Sequence, residues 1–183
     1  MKKVLFMMLA ACSMMLVGCN KENSQQQEPD QQGQTPEAKP VAAGLEYTFE
    51  VTDTMLLVAD FKVSYYDQDG KVQTETLNST KWSKTVQAKL PAKLGVKVDA
   101  AMKPDYDPAK FNKVFILREY SVYTYRLDEN GKVIGDKEKS GISSGVYVPG
   151  DKVPNALSKD GGFLSVLRSY DAEGNETQLD WDE

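Results

Sequence analysis

Residues 45–52 read Leu45-Glu46-Tyr47-Thr48-Phe49-Glu50-Val51-Thr52, a strict alternation of apolar and polar side chains. Successive side chains of a β-strand point to opposite faces, so this pattern predicts a strand with one face buried and the other in water. Apolar residues continue on odd-numbered positions from Met55 to Tyr65, which predicts a second strand of the same kind.

Similar segments follow at intervals of about 8–12 residues, the spacing typical of an all-β domain. They predict strands over 72–77, 82–90, 94–102, 114–127, 133–134, 142–148, 163–170 and 177–181. Segment 114–127 is apolar on both faces and is expected to be central or bulged. No window has a sustained 3.6-residue period, so helix content should be low. We predict an antiparallel, immunoglobulin-like β-sandwich over 45–183, with a small β-barrel as the alternative and the strand order left open.

Three turns share the pattern Asp-x-x-Gly, at Asp67–Gly70, Asp128–Gly131 and Asp171–Gly174. Aspartate accepts backbone N–H groups in such a turn, and glycine supplies the positive φ of a type I turn with a G1 bulge. A calcium loop would need an acidic residue at its twelfth position, where the first two turns have Asn78 and Lys139. We therefore interpret these segments as hairpin turns and predict no metal site.

The N-terminus has the features of an export signal. Met1-Lys2-Lys3 is positive, and Val4 to Val17 carries no charge. As a helix, about 14 residues would span only about 21 Å, short of the ~30 Å hydrocarbon core of a bilayer. Residues 1–18 are therefore predicted to be a cleaved signal peptide.

The signal ends at Leu16-Val17-Gly18-Cys19, which resembles the lipobox of bacterial lipoproteins. The resemblance implies that the Cys19 thiol receives a diacylglyceryl group, that signal peptidase II cleaves between Gly18 and Cys19, and that the new amine is acylated, for example with palmitate. An ordinary secretory signal or an uncleaved anchor is the alternative. Two or three acyl chains would hold the protein stably on a membrane.

Residues after the cysteine bear on the destination of such a lipoprotein. Asn20 stands where an inner-membrane retention signal would have aspartate, which favours the outer membrane. Lys21-Glu22 only partly resembles the acidic stretch of surface-exposed lipoproteins, so the periplasmic and the outer leaflet both stay open. Residues 19–44 are predicted to be the lipidated cysteine and a disordered linker, because 20–40 contain no aromatic residue and no aliphatic residue larger than alanine.

The segment from Ala59 to Val98 has a further resemblance. Its Tyr-Tyr-Asp-x-x-Gly motif, Trp82 and Leu90-Pro91-Ala92 look like the sandwich modules of small lipoproteins of Gram-negative bacteria. This resemblance implies a fold and a membrane location, and it implies no activity.

Composition excludes several classes of function. Removal of residues 1–18 takes two of the 22 basic residues and none of the 27 acidic ones, which leaves a net charge of −7 and disfavours nucleic acid as a partner. Histidine is absent, and no cysteine follows Cys19, so Ser-His-Asp and Cys-His sites are excluded. Ser79, Ser83 and Ser143 lie in strand or turn contexts. We predict no catalytic residues, no cofactor and no enzyme activity.

Aromatic side chains are the remaining candidates for ligand binding. A platform that stacks on sugar rings could involve Trp82, Tyr120, Tyr123, Tyr125, Tyr147 and Trp181. Most of these residues are expected to be core or cross-strand pairs instead. We predict a lipid-anchored, non-catalytic binding or accessory module for a protein or glycan, whose ligand-binding residues stay unknown. A structural subunit of a surface assembly, joined through an edge strand, is the alternative, and a hydrolase using paired carboxylates comes third.

Membrane attachment is predicted to depend on the Cys19 thiol, because the rest of the mature chain has no apolar run long enough to hold a membrane. The Cys19→Ala variant should be soluble or unprocessed when cell fractions are separated and probed for the protein. Normal maturation together with sedimentation in the outer-membrane fraction would contradict the lipoprotein interpretation.

Overall fold

The computed structural model describes residues 38–158 and 163–181. The predicted signal peptide, Gly18 and Cys19 with their cleavage and lipidation, and the linker up to residue 37 lie outside the described residues. Residues Pro36–Glu183 form one compact unit.

Nine strands account for most of the described residues. They are β1 (Ala42–Glu50), β2 (Ala59–Tyr66), β3 (Val72–Thr76), β4 (Lys81–Lys89), β5 (Ala92–Met102), β6 (Lys113–Leu127), β7 (Val133–Pro149), β8 (Ser165–Tyr170) and β9 (Glu176–Leu179). Two short helices, α1 (Asp53–Val58) and α2 (Val153–Ala156), lie in connections, as do the 3₁₀ turns Pro108–Lys110 and Gly150–Lys152. Within residues 38–158 and 163–181, no helix has the length and apolar character needed to cross a membrane.

The strands form two antiparallel sheets that pack face to face. The four-stranded sheet has the order β4-β1-β6-β7, and the five-stranded sheet has the order β3-β2-β5-β8-β9. The prediction of an all-β sandwich is confirmed. No strand of one sheet is hydrogen-bonded to a strand of the other among the described residues, so the alternative of a closed barrel is wrong. Strand β6 is central, as expected, and its pairing with β7 shifts register between Thr124 and Arg126.

The three Asp-x-x-Gly turns close the three hairpins β2–β3, β6–β7 and β8–β9. Each glycine has a positive φ, of 73° at Gly70, 75° at Gly131 and 81° at Gly174. In the first turn, Asp67 Oδ1 accepts the backbone N–H groups of Asp69 and Lys71. The predicted turn conformation is therefore confirmed. Hydrogen bonds within the loop, first that from the Lys71 backbone, also hold the pKa of Asp67 below its ordinary value.

The structure corrects two predicted segments near β1. Residues 53–58, predicted as part of a strand from Met55, form helix α1, because Thr52 caps it by accepting the Met55 N–H at 3.1 Å. Met55 and Val58, three residues apart, are both buried, and Leu57 faces water. Strand β1 begins at Ala42, three residues before the alternation starts, since small side chains carry too little apolar surface to reveal a buried strand.

Strand β7 is a third correction. The two short strands predicted over 133–134 and 142–148 are one strand of 17 residues. The polar residues between them stay in the strand because β6 supplies partners for their backbone groups along its whole length. A bulge containing Gly135, with a φ of 71°, absorbs the register shift opposite Tyr125.

The core fills the space between the sheets with inward side chains of both. The buried rings of Phe49 and Phe61 contact each other and the half-buried ring of Phe163, with centroid distances of 5.7–6.2 Å. Tyr47 reaches across and donates its hydroxyl to the carbonyl of Gly95 at 3.3 Å. Burial raises the pKa of this phenol well above its ordinary value, so the group stays a neutral donor.

A polar cluster joins the two sheets beside this core, between strands β3 and β4. The carboxylate of Glu75 accepts hydrogen bonds from Tyr65 at 2.6 Å, from Trp82 Nε1 at 2.8 Å and from Lys84 Nζ at 3.0 Å. Tyr65 belongs to the same sheet as Glu75, whereas Trp82 and Lys84 belong to the opposite sheet. We call these four residues the Glu75 cluster. Its hydrogen bonds, foremost that from Trp82, lower the pKa of Glu75 from 4.5 to about 2.

Substitution of the turn glycines separates backbone strain from packing. A Cβ atom at Gly131 would meet no atom within 4 Å, whereas one at Gly174 would lie 2.7 Å from Pro40 Cγ. Gly131→Ala should therefore cost only the strain of a positive φ, about 1–2 kcal/mol, and Gly174→Ala should cost about 1 kcal/mol more because Pro40 must move. Urea unfolding of both variants measures the difference, and equal losses would contradict the contact with Pro40.

The Glu75 cluster should give folding stability a defined pH dependence. Because the pKa of Glu75 is lower in the folded state, its contribution is present above the unfolded-state pKa of about 4.5 and is lost as the pH falls through about 2. Glu75→Gln should lower the free energy of unfolding by about 1–2 kcal/mol at pH 7, with the loss shrinking between pH 4.5 and 2. Glu129→Gln, in an exposed turn, is the control and should change stability little. A loss independent of pH would contradict the assignment.

Candidate functional site

The side of the four-stranded sheet that faces away from the core is here called the outer face. Strand pairing aligns its residues in rows that run across the strands. One row holds Lys81, Glu50, Glu119 and Ser143; the next holds Ser83, Thr48, Ser121 and Gly141; a third holds Thr85, Glu46, Tyr123 and Lys139. A row of small side chains therefore lies between two rows of larger ones.

This difference in side-chain size produces a groove across the sheet. Its floor is formed by Thr48, Ser121 and Gly141, and its volume is about 590 Å³. The remaining lining comes from Glu50, Lys81, Glu119, Tyr120, Lys139, Ile142 and Ser143. We call it the outer-face groove. Four strands spaced about 4.8 Å apart give the face a width of roughly 14 Å.

Charged side chains of both signs border the groove. Lys81 Nζ lies 2.5 Å from Glu50 Oε1, and Lys137 Nζ lies 2.5 Å from Glu46 Oε1. The hydrogen bond to Glu50 raises the pKa of Lys81, and that to Glu46 raises the pKa of Lys137. Glu119 lies directly opposite Glu50 on the neighbouring strand, which places two carboxylates side by side with one ammonium group.

Glycines beneath aromatic rings shape the two ends of the outer face. The ring of Tyr125 lies against Gly44, where a Cβ atom would approach its Cε2 to 2.4 Å, and its hydroxyl accepts a hydrogen bond from Gln87 at 3.1 Å. At the opposite end, the ring of Phe115 lies over Gly145, with its centroid 4.9 Å from that of Tyr147. Aromatic covering of a strand glycine restores the packing that the missing side chain would provide.

The six aromatic residues considered as a sugar-binding platform do not share one surface. Trp82 is inside the sandwich, where it stacks on Tyr47 at 6.2 Å, and Tyr120 packs against the core. Trp181 lies against Tyr66 on the far side of the five-stranded sheet, at 5.2 Å. Only Tyr123, Tyr125 and Tyr147 are on the outer face, and Tyr125 is itself buried. Most of the six thus have the packing role that was expected of them.

The lining of the outer-face groove suits the binding of a polar ligand. Hydroxyl groups of Thr48, Ser121 and Ser143 both donate and accept hydrogen bonds, the carboxylates accept, and the lysines donate. In the part of the chain that the structure describes, no group of three acidic side chains is placed to hold a metal ion. The groove therefore offers many orientable hydrogen-bonding groups on a shallow surface.

Sequence reasoning missed the floor of this groove. Thr48, Ser121 and Gly141 are ordinary outward strand positions, and they are separated by 73 and 20 positions along the chain. Only the pairing of β1 with β6 and of β6 with β7 aligns them. The available signal was the stretch from Ser140 to Gly145, in which every residue except Ile142 is serine or glycine.

Comparison of the chain with protein-family models, with curated proteins and with solved structures gives no match.

Proposed function

We propose that this protein is a lipid-anchored, non-catalytic binding module of the outer membrane, periplasmic or surface-exposed, and that its outer-face groove binds a neutral glycan. The observation that carries the choice of ligand is the floor of small side chains, Thr48, Ser121 and Gly141, between two polar walls. The lipobox-like segment ending at Cys19 supports the anchor.

Several properties of the groove favour a glycan over other ligands. Sugar hydroxyls both donate and accept hydrogen bonds, and the groove presents donors and acceptors side by side. Tyr123, in the row beside the floor, is half-buried, and Lys139 Nζ lies 5.6 Å from its ring centroid, which places an aromatic ring and a hydrogen-bond donor together at the edge of the groove. The acidic net charge of the chain and the carboxylates of Glu50 and Glu119 disfavour an anionic ligand, so a neutral glycan fits best.

The second candidate function, a structural subunit of a surface assembly, is supported by a different observation. Strand β7 ends the four-stranded sheet, and nearly all of its residues are exposed. An uncovered sheet edge can accept a strand from another chain through backbone hydrogen bonds. Both functions are compatible because the groove uses a face of the sheet and assembly uses its edge.

Filling the floor of the groove tests the glycan proposal. Ser121 and Ser169 are both half-buried serines within strands, but Ser121 is on the groove floor and Ser169 is on the far side of the five-stranded sheet. With the unit 36–183 on an array of neutral and acidic oligosaccharides, we expect binding to neutral glycans. Ser121→Tyr should weaken that binding at least tenfold, and Ser169→Tyr should leave it unchanged.

The control separates binding from folding, since tyrosine is favoured in strands and both variants add the same side chain. Equal loss of binding in both variants would mean that the groove is not the site. A protein that binds no neutral glycan, or binds acidic ones more tightly, would contradict the proposed ligand class.

A further inference from the structure

Strand β7 leaves one side of the four-stranded sheet open. One edge of β7 pairs with β6 from Val133 to Pro149, and the other edge has no strand partner among residues 38–158 and 163–181. Its backbone N–H and C=O groups on that side are available to another strand.

The usual protections of an edge strand are missing from the second half of β7. Residues 140–149 contain no charged side chain, and the only proline is the last residue of the strand. Ile142, Val146 and Tyr147 are 43, 55 and 68% exposed, and they are half of the large hydrophobic residues on the described surface. Soluble proteins normally block such an edge with lysine, proline or a bulge. The bulge of β7 lies at the other end of the strand, opposite Tyr125.

We propose that the open edge of β7 pairs with β7 of a second copy of this chain, antiparallel and about a two-fold axis at Ser144. Ile142 then lies opposite the partner's Val146, and Gly141 lies opposite the partner's Tyr147. Ser143 lies opposite the partner's Gly145. This dimer supplies the partner for the second candidate function, a structural subunit of a surface assembly. The proposal of a second copy rests on that function.

Side-chain direction limits the possible registers. Residues directly opposite in an antiparallel pair point to the same face. A two-fold axis perpendicular to the sheet must therefore lie between one residue of β7 and the same residue of the partner, and the axis is named here by that residue. An axis at Glu138 would place Lys137 opposite the partner's Lys139 and Glu138 opposite its own copy, two kinds of like-charge contact. An axis at Ile142 would place Glu138 opposite the partner's Val146. The axis at Ser144 instead places Ile142 opposite the partner's Val146, and it places no charged side chain opposite an apolar one between residues 140 and 148.

The charged residues Asp136, Lys137 and Glu138 lie outside the paired segment in this register. The two copies of β7 pair from Lys139 to Pro149, where the partner's strand ends. Lys137 keeps its ion pair with Glu46 of the same chain. The central residues 140–149 carry no charge, so no repulsion opposes the pairing there.

Pairing at this edge also completes the outer-face groove. The row of small side chains ends at Gly141, the last floor residue before the open edge. In the dimer, the partner's Tyr147 stands beside Gly141 and forms an aromatic wall at that end. Two four-stranded sheets become one continuous sheet of eight strands, with two grooves related by the two-fold axis.

Cysteine cross-linking of the full-length chain tests the dimer and its register together. Two residues directly opposite on antiparallel strands have Cα atoms about 4.5–5.5 Å apart, within the range that a disulfide spans. Ser144→Cys should therefore give a disulfide-linked species of twice the chain mass under mild oxidation in cells, seen on non-reducing gels. Thr74→Cys, on the exposed edge strand β3, and the unmodified chain should stay monomeric.

A second pair of variants tests the proposed contact between Val146 and the partner's Ile142 by substituting exposed residues, which lie outside the core. Val146 and Val72 are 55 and 52% exposed and lie on different edge strands. Val146→Lys added to Ser144→Cys should lower the cross-linked fraction at least tenfold, and Val72→Lys added to Ser144→Cys should leave it unchanged.

Other outcomes would overturn the proposal in distinguishable ways. Equal cross-linking of Thr74→Cys would indicate random collision. A disulfide-linked species of a different mass would show that another protein occupies the edge, which refutes the dimer and keeps the structural-subunit function. Absence of any cross-linked species would refute the dimer and leave the structural-subunit function, because a different partner without a facing cysteine forms no disulfide.

Discussion

The inward face of β1 carries Leu45, Tyr47 and Phe49, each at most 1% exposed. Full burial of such side chains contributes roughly 1.5–3 kcal/mol each, and β1 pairs with β4 on one side and β6 on the other over all nine of its residues. A slip of one residue against either neighbour would turn every inward side chain to the opposite face. Burial of this face thus fixes the register of three strands, and the rows of the outer face follow from that register.

The two edges of the four-stranded sheet differ in their side-chain contacts and in their charge. Near β4, the Glu75 carboxylate connects the two sheets through two hydrogen bonds, from Trp82 and from Lys84, and accepts a third from Tyr65 of its own sheet. Near β7, the opposite edge is long, free of charge over its second half and rich in small residues. Strand β4 also ends this sheet, but its lysines Lys81, Lys84 and Lys89 protect that edge, so β7 is the edge at which the sheet can extend. The outer-face groove reaches from Lys81 on β4 to Gly141 on β7, so pairing at the open edge would extend it beyond β7.

The far sides of the two sheets also differ. On the five-stranded sheet, Trp181 folds back over the strands, donates its indole N–H to the Val166 carbonyl at 2.9 Å and packs on Tyr66. Leu167 beneath is only 2% exposed, although it points away from the main core. Trp181 therefore covers part of this side. The outer face of the four-stranded sheet keeps its hydroxyl and charged groups accessible, which is why it is the candidate for binding.

The sequence was enough to predict an all-β sandwich with three hairpins. The two signals were the alternation of side chains, as from Leu45 to Val51, and the three Asp-x-x-Gly turns, and both depend on neighbours within a few residues. The lipobox-like segment around Cys19 is likewise local and stays a prediction. The groove floor could not be predicted, since Thr48, Ser121 and Gly141 meet only through strand pairing between distant segments. The continuity of β7 and the helix over 53–58 also depended on context, because partner strands and a capping threonine outweighed local apolar patterns. Periodicity records which side chains are buried, and only the pairing of strands determines which exposed ones become neighbours.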